Sequence, residues 1–393
     1  MVRFLSTLSL THLKCKTNMR ARLLLADGTR VEGCGFGYPT VRVGEIVFST
    51  SMTGYVEALT DPSYAGQILI WTHPMVGCYG VPSYQHSFCG VPLNYESDKI
   101  HVESFIVSEL PPSNHYLSIY DLDEWLRRSG VPGMYRVDTR ALVKKIREHG
   151  VMMSVIAVYR DDEEISWEDL EKVLKRSEKY DSIDFTRRVS PDRVIVHEPE
   201  HRPVASVALL DCGVKYGILR QLLRQGFRVI RFPCWSRADE LIESGDGIVL
   251  SNGPGNPALM KTQIETIREI AYSEKPVLGV CLGMQLLSLS LGARTYKLRY
   301  GHRGPNKGVI DLLTKRSYVT TQNHGYAVDE SSLEETELIL WFKNIDDGSV
   351  EGVIHKNKPI IATQFHPEGS PGPHDTTWVF EYFKRLVNGF GKS

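Results

Sequence analysis

The sequence has no long run of charge of one sign. Its 46 basic and 47 acidic residues give a formal net charge of −1. A nucleic acid or an acidic membrane surface requires a strongly basic partner, so this balance gives no electrostatic reason to expect either of them. A small neutral or zwitterionic substrate is consistent with the composition.

The cysteines are few and lack the spacing of a disulfide or metal motif. There are seven, an odd number, and none forms a C-x-x-C pair. This argues against a disulfide framework and against a zinc site, and no cluster in the sequence has metal-ligand spacing. We therefore expect no metal on this chain and a reducing compartment, the cytoplasm.

A membrane-length apolar run and a phosphate-binding loop are also absent from the sequence. The stretch KPVLGVCLGMQLLSLSLGA at 275–293 contains a glutamine and two serines, so it is a poor membrane span. The stretch GPNKG at 304–308 lacks the spacing and the following Ser/Thr of a phosphate loop. We therefore expect no ATP site on this chain.

The first half of the chain predicts a strand-rich domain. Residues 1–18 are Ser/Thr-rich and basic, and both a frayed extension and a targeting segment fit them. Residues 19–160 contain short β-type runs broken by Gly, Pro and Asn, with two helix patterns at 121–130 and 138–150. We expect a small α+β domain there. The densely charged stretch 161–203 is predicted to be a helix and a linker.

Residues 204–393 have the pattern of an α/β domain. Apolar β-branched runs, among them VASVALLD, FRVIRF, GIVLSNGPG and KPVLGV, alternate with amphipathic segments. Strands that alternate with helices predict an open, mostly parallel sheet that is covered on both faces. Because ligands bind beyond the carboxyl ends of such strands, SNGPGNP and the cysteine at 281 are expected at the same rim.

The stretch GVCLG at 279–283 is the cysteine form of a nucleophile elbow. Such a turn needs glycines because neighbouring side chains would clash. It would place Cys281 at the start of a helix, where exposed N–H groups and the helix dipole favour a thiolate. The N–H of Leu282 could stabilise an oxyanion. The alternative is a buried structural cysteine at a tight turn.

A base and a carboxylate follow a second strand-like run downstream. In the sequence His366-Pro367-Glu368, residues two apart face the same side of an extended segment, and Pro367 favours an extended His366. A thiolate, a histidine base and an orienting carboxylate form a catalytic triad. By itself, the tripeptide could instead be a surface turn.

These motifs carry a family resemblance. GVCLGMQ, the upstream SNGPGNP and the downstream HPE resemble the class I, triad-type glutamine amidotransferase domain over about 204–390. GEIVFSTSMTGYVEALTDPSYAGQI at 44–68 and VDTRALVKKIREHG at 137–150 resemble the small, glutamine-hydrolysing subunits of carbamoyl-phosphate synthetase. Both halves match in order over nearly the whole chain.

The resemblance implies a site. Cys281 would be the nucleophile, His366 the base and then the acid, and Glu368 the orienting carboxylate. The glutamine pocket would comprise residues from both halves of the chain, namely Ser51, Gly253, Gly255, Leu282, Gln285, Asn323, Gly325 and Tyr326. The oxyanion would rest on the backbone N–H groups of Leu282 and Gly255.

The sequence departs from the family pattern at a few positions. Met284 and Tyr326 stand where relatives often have histidine and phenylalanine, but neither position has to transfer a proton. His324 lies in the pocket motif QNHGY and is expected near the substrate. Three other histidines, His302, His355 and His374, are expected to be structural or solvated.

The resemblance also implies a partner. This chain would hydrolyse glutamine, and a separate large subunit carrying ATP and magnesium would form carbamoyl phosphate for arginine and pyrimidine biosynthesis. The alternatives are a glutaminase subunit of another synthase, a subunit that has lost catalysis and is regulatory, and a γ-glutamyl hydrolase. No cofactor is expected on this chain.

Overall fold

A computed structural model describes residues 15–390, so most of the predicted extension lies outside the described residues. The strands in chain order are β1 (Met19–Leu25), β2 (Arg30–Gly37), β3 (Thr40–Ser49), β4 (Gln67–Trp71), β5 (Val81–Pro82), β6 (Ser87–Phe88), β7 (Val91–Pro92), β8 (Ser104–Val107), β9 (Ser118–Tyr120), β10 (Pro132–Tyr135), β11 (Met152–Arg160), β12 (Ile195–His197), β13 (Ala205–Asp211), β14 (Phe227–Pro233), β15 (Gly247–Leu250), β16 (Val277–Val280), β17 (Thr295–Asp311), β18 (Ser317–Val328), β19 (Leu338–Asn344), β20 (Val350–His355) and β21 (Ile360–Thr363). The α-helices are α1 (Tyr55–Thr60), α2 (Leu122–Arg128), α3 (Thr139–His149), α4 (Trp167–Arg176), α5 (Thr186–Val189), α6 (Tyr216–Arg224), α7 (Ala238–Ser244), α8 (Lys261–Tyr272), α9 (Leu282–Ser290) and α10 (Trp378–Phe390).

The chain divides into two units, and neither is one continuous stretch. Among the described residues, the first unit comprises 15–52, 66–83 and 102–180. The second unit comprises 53–65, 84–101 and 181–390. Two segments that precede residue 102 therefore belong to the second unit. The boundaries drawn from sequence at 160 and 203 stay predictions.

The first unit is built on a closed barrel. Its strands follow the order β1-β11-β3-β4-β8-β10-β2, and β2 pairs back to β1. The pairs β3–β4, β4–β8 and β8–β10 are parallel, whereas the others are antiparallel. Closure leaves no unpaired edge strand to be covered. The predicted strand-rich α+β domain is confirmed.

Both helices predicted in this unit are present. Helix α3 begins after Asp138, whose Oδ1 accepts a hydrogen bond from the Ala141 N–H at 2.8 Å. It ends at Gly150, which has a φ of 90°. Because a side-chain cap satisfies a free N–H group and a glycine adopts positive φ without strain, the sequence DTRALVKKIREHG specifies both ends.

One disulfide in the first unit was not foreseen. Cys15 pairs with Cys34 of β2, with their Cα atoms 5.5 Å apart. The two cysteines are 19 residues apart without a recognisable motif, so composition alone argued against disulfides. The segment around Cys15 also contacts the barrel, since the Lys16 N–H donates to the Tyr135 hydroxyl at 3.0 Å.

The second unit contains an open sheet with the order β12-β14-β13-β15-β16-β21-β20-β19-β17-β18. The pairs from β14 to β21 are parallel. Antiparallel strands extend the sheet on both sides, with β12 at one edge and β17–β20 at the other. Edge strand β12 lies in the stretch that the sequence indicated as helix and linker. The predicted α/β class is confirmed.

Helices cover both faces of the parallel strands. Successive residues of a strand point to opposite faces, so alternate residues pack against different helices. In β13, Ala208 and Leu210 join a core that also contains residues of α7, α8 and α9. Val207 and Leu209 join a second core with residues of α6 and α10. The near-continuous apolar sequence of β13 is therefore that of a strand buried on both faces. Among residues 15–390, no helix is long and apolar enough to cross a membrane.

Candidate active site

The turn from β16 into α9 has the conformation of a nucleophile elbow. Cys281 adopts φ 53° and ψ −105° between the two elements, a strained backbone for a side chain of this kind. A Cβ added at Gly283 would lie 2.2 Å from the Leu250 carbonyl oxygen, and one at Gly279 would lie 3.0 Å from Ala362 Cβ. Only glycine permits this close approach, which confirms the predicted corner.

The sulfur of Cys281 faces polar groups although the residue is buried. Its Sγ lies 3.8 Å from the Asn323 carbonyl oxygen, and the side-chain amide of Gln364 approaches it at 3.6 Å. Cys281 is also one of the groups that raise the pKa of the neighbouring His366. The cysteine is therefore not surrounded by apolar atoms alone, as a structural cysteine at a tight turn would be.

His366 and Glu368 follow β21 and converge as their spacing predicts. The backbone N–H of His366 donates to the Thr321 carbonyl oxygen at 2.8 Å, and this hydrogen bond holds the segment against β18. His366 Nδ1 lies 2.7 Å from Glu368 Oε1. Within the described part of the chain His366 Nε2 has no hydrogen-bond partner, so this nitrogen is available to carry a proton to or from another group.

Lys215 joins this pair, and sequence reasoning assigned it no role. It follows β13 at the start of α6, and its Nζ donates to Glu368 Oε1 at 2.8 Å. Its side chain is only 2% exposed and that of Glu368 is fully buried. The signal in the sequence was a lysine at the carboxyl end of a buried parallel strand, where a buried ammonium requires a carboxylate.

Burial and charge act in opposite directions on these three groups, and charge prevails. Burial alone would lower the pKa of His366, but the adjacent Glu368 carboxylate outweighs it and raises that pKa to about 10. Burial would raise the pKa of Glu368, yet Lys215 and His366 hold it well below its usual range. The same carboxylate raises the pKa of Lys215 despite burial. All three groups are therefore charged at neutral pH.

Among the residues predicted for the glutamine pocket, Asn323 lies beside Cys281, and Gln285 and Tyr326 contact each other. Gln285, on the first turn of α9, donates from Nε2 to the Tyr326 carbonyl at 2.9 Å. Asn323 donates from Nδ2 to Asp61 Oδ2 at 2.8 Å. The Tyr326 hydroxyl donates to Asp181 at 2.5 Å. Sequence reasoning did not identify Asp61 or Asp181, which come from segments outside the α/β pattern.

The backbone positions of the predicted pocket are also in the second unit. Gly253 and Gly255 follow β15, and Leu282 is the first residue of α9. A Cβ at Gly253 would lie 2.2 Å from the Cys212 carbonyl oxygen, and Gly255 has a φ of 95°. Each glycine is therefore required by the path of the chain. Gly325 lies between Asn323 and Tyr326 on β18.

Ser51 lies in the first unit, just after β3. It is buried, and its hydroxyl is 2.8 Å from that of Ser49. Its assignment to the glutamine pocket stays a prediction.

His302, His324 and Glu351 form one group that could hold a metal ion. They come from β17, β18 and β20 and are all buried. The sequence showed no metal-ligand spacing, because the three residues lie on separate strands.

Comparisons with known proteins agree with this geometry. Residues 208–386 match the family model "Glutamine amidotransferase class-I". Residues 23–156 match the model "Carbamoyl-phosphate synthase small chain, CPSase domain". The second match covers the first half of the chain and favours a carbamoyl-phosphate synthase subunit over the glutaminase of another synthase.

The chain is similar over nearly its full length to curated small chains. It is 52% identical to the carbamoyl phosphate synthase small chain of Pyrococcus furiosus, covering 93% of this chain and 97% of that protein. It is 48% identical to the small chain of Sulfurisphaera tokodaii, covering 96% and 99%. A solved glutamine amidotransferase from Thermotoga maritima is 19% identical, with a TM-score of 0.36, over 49% of this chain and 87% of that one.

Two family models in the expected order and relatives of about half identity over both full lengths leave one conclusion. The chain belongs to the carbamoyl-phosphate synthase small chain family and is a glutamine-hydrolysing subunit of that synthase.

Proposed function

We propose that this chain releases ammonia from glutamine for a separate large synthetase subunit, and that Cys281, His366 and Glu368 are the catalytic groups. The large subunit would bind ATP and magnesium and form carbamoyl phosphate for arginine and pyrimidine biosynthesis in the cytoplasm. The small-chain family of this protein supports the partner. The absence of a phosphate-binding loop from the sequence supports the division of labour.

One observation carries the catalytic proposal. A cysteine held in a strained elbow is close enough to His366 to raise the pKa of its ring, and Nδ1 of that ring is 2.7 Å from a buried carboxylate. A carboxylate in this position fixes the orientation of the ring and directs Nε2 towards the nucleophile. The thiolate form of a cysteine is the nucleophile, and we propose that Cys281 reacts in this form.

In the first half of the reaction, the Cys281 sulfur attacks the side-chain amide carbon of glutamine. The electron pair of the carbonyl moves to its oxygen, and the backbone N–H groups of Leu282 and Gly255 stabilise that oxyanion. When the oxyanion collapses, the carbon–nitrogen bond breaks and His366 Nε2 gives its proton to the departing nitrogen. Ammonia leaves and a thioester remains on Cys281.

In the second half, water replaces ammonia. Neutral His366 accepts a proton from water at Nε2 while the water oxygen attacks the thioester carbon. The carbon–sulfur bond then breaks, and glutamate and the starting thiolate are released. Glu368 stays ionised throughout, because its role is to hold the imidazolium and not to accept the proton.

The remaining pocket residues would bind the amino-acid end of glutamine. Gln285 and Asn323 offer amide groups, which can pair with a carboxylate and an ammonium. Gly253 and Gly255 allow the backbone to approach the substrate closely. Gly325 and Tyr326 complete the predicted pocket beside Asn323.

Replacement of the nucleophile tests the proposal. Cys281→Ser should lose glutamine hydrolysis by several orders of magnitude, since loss of the nucleophile of a cooperating triad costs roughly 10⁶-fold. Cys234→Ser is the matched control, because Cys234 is a second buried free cysteine of the same unit. The control should retain the activity of the wild-type chain.

The same variants test the partnership. With a large subunit, ATP and bicarbonate, Cys281→Ser should form carbamoyl phosphate from ammonium chloride but not from glutamine. Glutaminase activity retained in Cys281→Ser would exclude Cys281 as the nucleophile. A wild-type chain that hydrolysed no glutamine, alone or with the large subunit, would instead support the regulatory alternative.

A further inference from the structure

Three ligand-type side chains meet behind the strand that carries Asn323. His302 on β17 is paired in register with His324 on β18, and Glu351 lies on β20. The two histidines are 6% and 5% exposed, and the glutamate is fully buried. One potential ligand atom from each residue lies within 4.8 Å of the others. We propose that these residues bind one divalent transition-metal ion, for which Zn²⁺ is the best match.

Each histidine uses one ring nitrogen in a hydrogen bond and directs the other towards Glu351. His302 Nε2 lies 2.9 Å from Asp347 Oδ2, and His324 Nδ1 lies 2.8 Å from the Tyr326 carbonyl oxygen. An N–H on each of these nitrogens leaves a lone pair on His302 Nδ1 and on His324 Nε2. This is the arrangement of metal-binding histidines, which donate their second N–H to a carboxylate or a carbonyl.

The distances within the cluster suit a shared cation better than direct hydrogen bonds. His302 Nδ1 and His324 Nε2 lie 3.4 Å and 3.7 Å from Glu351 Oε1. Hydrogen bonds between nitrogen and oxygen are shorter, at about 2.7–3.2 Å. Four ligands at about 2.0–2.2 Å in a tetrahedron are roughly 3.3–3.6 Å from one another. The observed separations are therefore close to those around zinc.

Two buried atoms of the cluster lack any other partner. Neither His324 Nε2 nor Glu351 Oε2 has a hydrogen bond within residues 15–390, although buried polar atoms are nearly always paired. A protonated His302 between Asp347 and Glu351 would explain the ion pairs without a metal. It would still leave the His324 nitrogen without a donor, whereas a cation bound between that nitrogen and the Glu351 carboxylate gives it a partner.

The neighbouring side chains are consistent with this set of lone pairs. The amide of Asn344 donates from Nδ2 to Glu351 Oε1 at 3.1 Å and faces His302 Nδ1 at 3.4 Å. A donor between these two atoms indicates that both are acceptors. Two imidazole nitrogens and one carboxylate oxygen suit zinc, cobalt or nickel, whereas magnesium and calcium prefer oxygen ligands.

The site would have a structural role. Asp347, the partner of His302, has a side chain that is 42% exposed, whereas the three ligands are buried. A bound ion would tie β17, β18 and β20 together beside Asn323, whose carbonyl oxygen is 3.8 Å from Cys281 Sγ. The three ligands are thus positioning residues for the pocket strand and not catalytic groups.

The test is direct metal binding by the full chain, purified without a polyhistidine tag and stripped with a chelator. Zn²⁺ affinity is measured by competition with a chromophoric chelator, and Co²⁺ is used to detect ligation by its visible absorption bands. The wild-type chain should bind one equivalent of Zn²⁺ and unfold at a higher temperature with it. The Co²⁺ complex should have a tetrahedral spectrum.

Variants identify the ligands. His302→Gln and Glu351→Gln should lose tight Zn²⁺ binding, and Asp347→Asn should weaken it by about 10–100-fold, the usual effect of losing such a supporting partner. His355→Gln is the control, because His355 is also a buried histidine of this sheet that faces a carboxylate, 3.1 Å from Glu337. It should bind Zn²⁺ as the wild-type chain does.

Two results would overturn the site. One is a wild-type chain that takes up no Zn²⁺ or Co²⁺ at micromolar concentrations and gains no thermal stability from either. The other is unchanged Zn²⁺ affinity in His302→Gln or in Asp347→Asn. The second variant changes a half-exposed side chain, so it remains decisive if loss of a buried ligand prevents folding.

Discussion

Replacement of Lys215 by methionine tests whether the buried ion pair with Glu368 holds the carboxylate of the proposed triad in place. Lys215 Nζ lies 2.8 Å from Glu368 Oε1, and the two side chains are 2% and 0% exposed. Methionine fills a similar volume without the charge. Glu368 would then keep only His366 as its charged hydrogen-bond partner among the described residues, at 2.7 Å.

The expected loss of stability follows from burial. Removal of one partner of a buried ion pair costs about 3–5 kcal/mol, because the other charge stays buried without compensation. His366 still compensates Glu368 in part, so we expect about 3 kcal/mol, the lower end of that range. Lys145→Met is the matched control. Its ion pair with Asp27 is just as short, at 2.6 Å, but the side chains are 25% and 31% exposed, and such pairs contribute about 0.2–1 kcal/mol.

The assay is urea unfolding followed by tryptophan fluorescence, to which Trp341 and Trp378 of the second unit contribute. The free energy of unfolding is compared for the wild-type chain, the two lysine variants, Glu368→Gln and Lys215→Met combined with Glu368→Gln. The combined variant should lose less unfolding free energy than the two single variants lose together, because neither partner is then left buried with an unpaired charge. This non-additivity separates the ion pair from lost packing.

The pKa of His366 provides the second readout. Lys215 lowers the pKa of His366, so the Lys215→Met variant should have a His366 pKa above the wild-type value. An NMR titration of the His366 ring would detect this change. The reasoning is refuted if Lys215→Met loses no more stability than Lys145→Met, or if the pKa of His366 does not rise.

Three further changes have defined outcomes. Gly283→Ala would bring a Cβ to 2.2 Å from a backbone carbonyl oxygen, so it should cost about 1–3 kcal/mol of unfolding free energy and abolish glutaminase activity. Gly389→Ala is the control, because a Cβ there meets open space. Equal unfolding temperatures of the two variants would contradict the predicted clash. Folding raises the pKa of His366 from 6.5 to about 10, so protonated His366 stabilises the fold fully below pH 6.5, and this contribution is lost as pH rises towards 10. The measurement is the free energy of unfolding of the wild-type chain minus that of His366→Gln. A difference that grew between pH 6.5 and pH 10 would contradict the raised pKa. Asp61→Ala frees the Asn323 amide and should raise the KM for glutamine by about tenfold, since hydrogen bonds to charged groups contribute about 1.5–3 kcal/mol; an unchanged KM would show that Asn323 needs no such support.

The parts of the site that could be predicted from the sequence are those with local backbone requirements. The turn at Cys281 needs flanking glycines, and two side chains that face the same side of an extended segment, such as His366 and Glu368, must be two residues apart. Both patterns can be recognised in a few consecutive residues. The strand and helix patterns likewise predicted the barrel-forming half as strand-rich and the second half as α/β, since the period of apolar residues follows from burial on one face or two.

The parts that could not be predicted depend on contacts between distant residues. Lys215 and Glu368 are 153 residues apart, and Asp61 and Asn323 are 262 apart. No local pattern indicates either pair. The group of His302, His324 and Glu351 is hidden for the same reason, because its members lie on three strands whose neighbours are set by the topology of the sheet.

The segments 53–65 and 84–101 belong to the second unit, so the glutaminase cannot be produced as a stable fragment simply by cutting the chain before residue 204. Glu96 is fully buried and pairs with Arg220 at 2.5 Å, while its other oxygen accepts the Gly217 N–H at 2.8 Å. A fragment that began at residue 204 would keep the triad but bury the Arg220 guanidinium without its carboxylate. Breaking such a pair costs about 3–5 kcal/mol, a large part of the stability of an ordinary domain. The proposed catalytic triad is therefore contained in the last half of the sequence, but the folding unit that supports it is not.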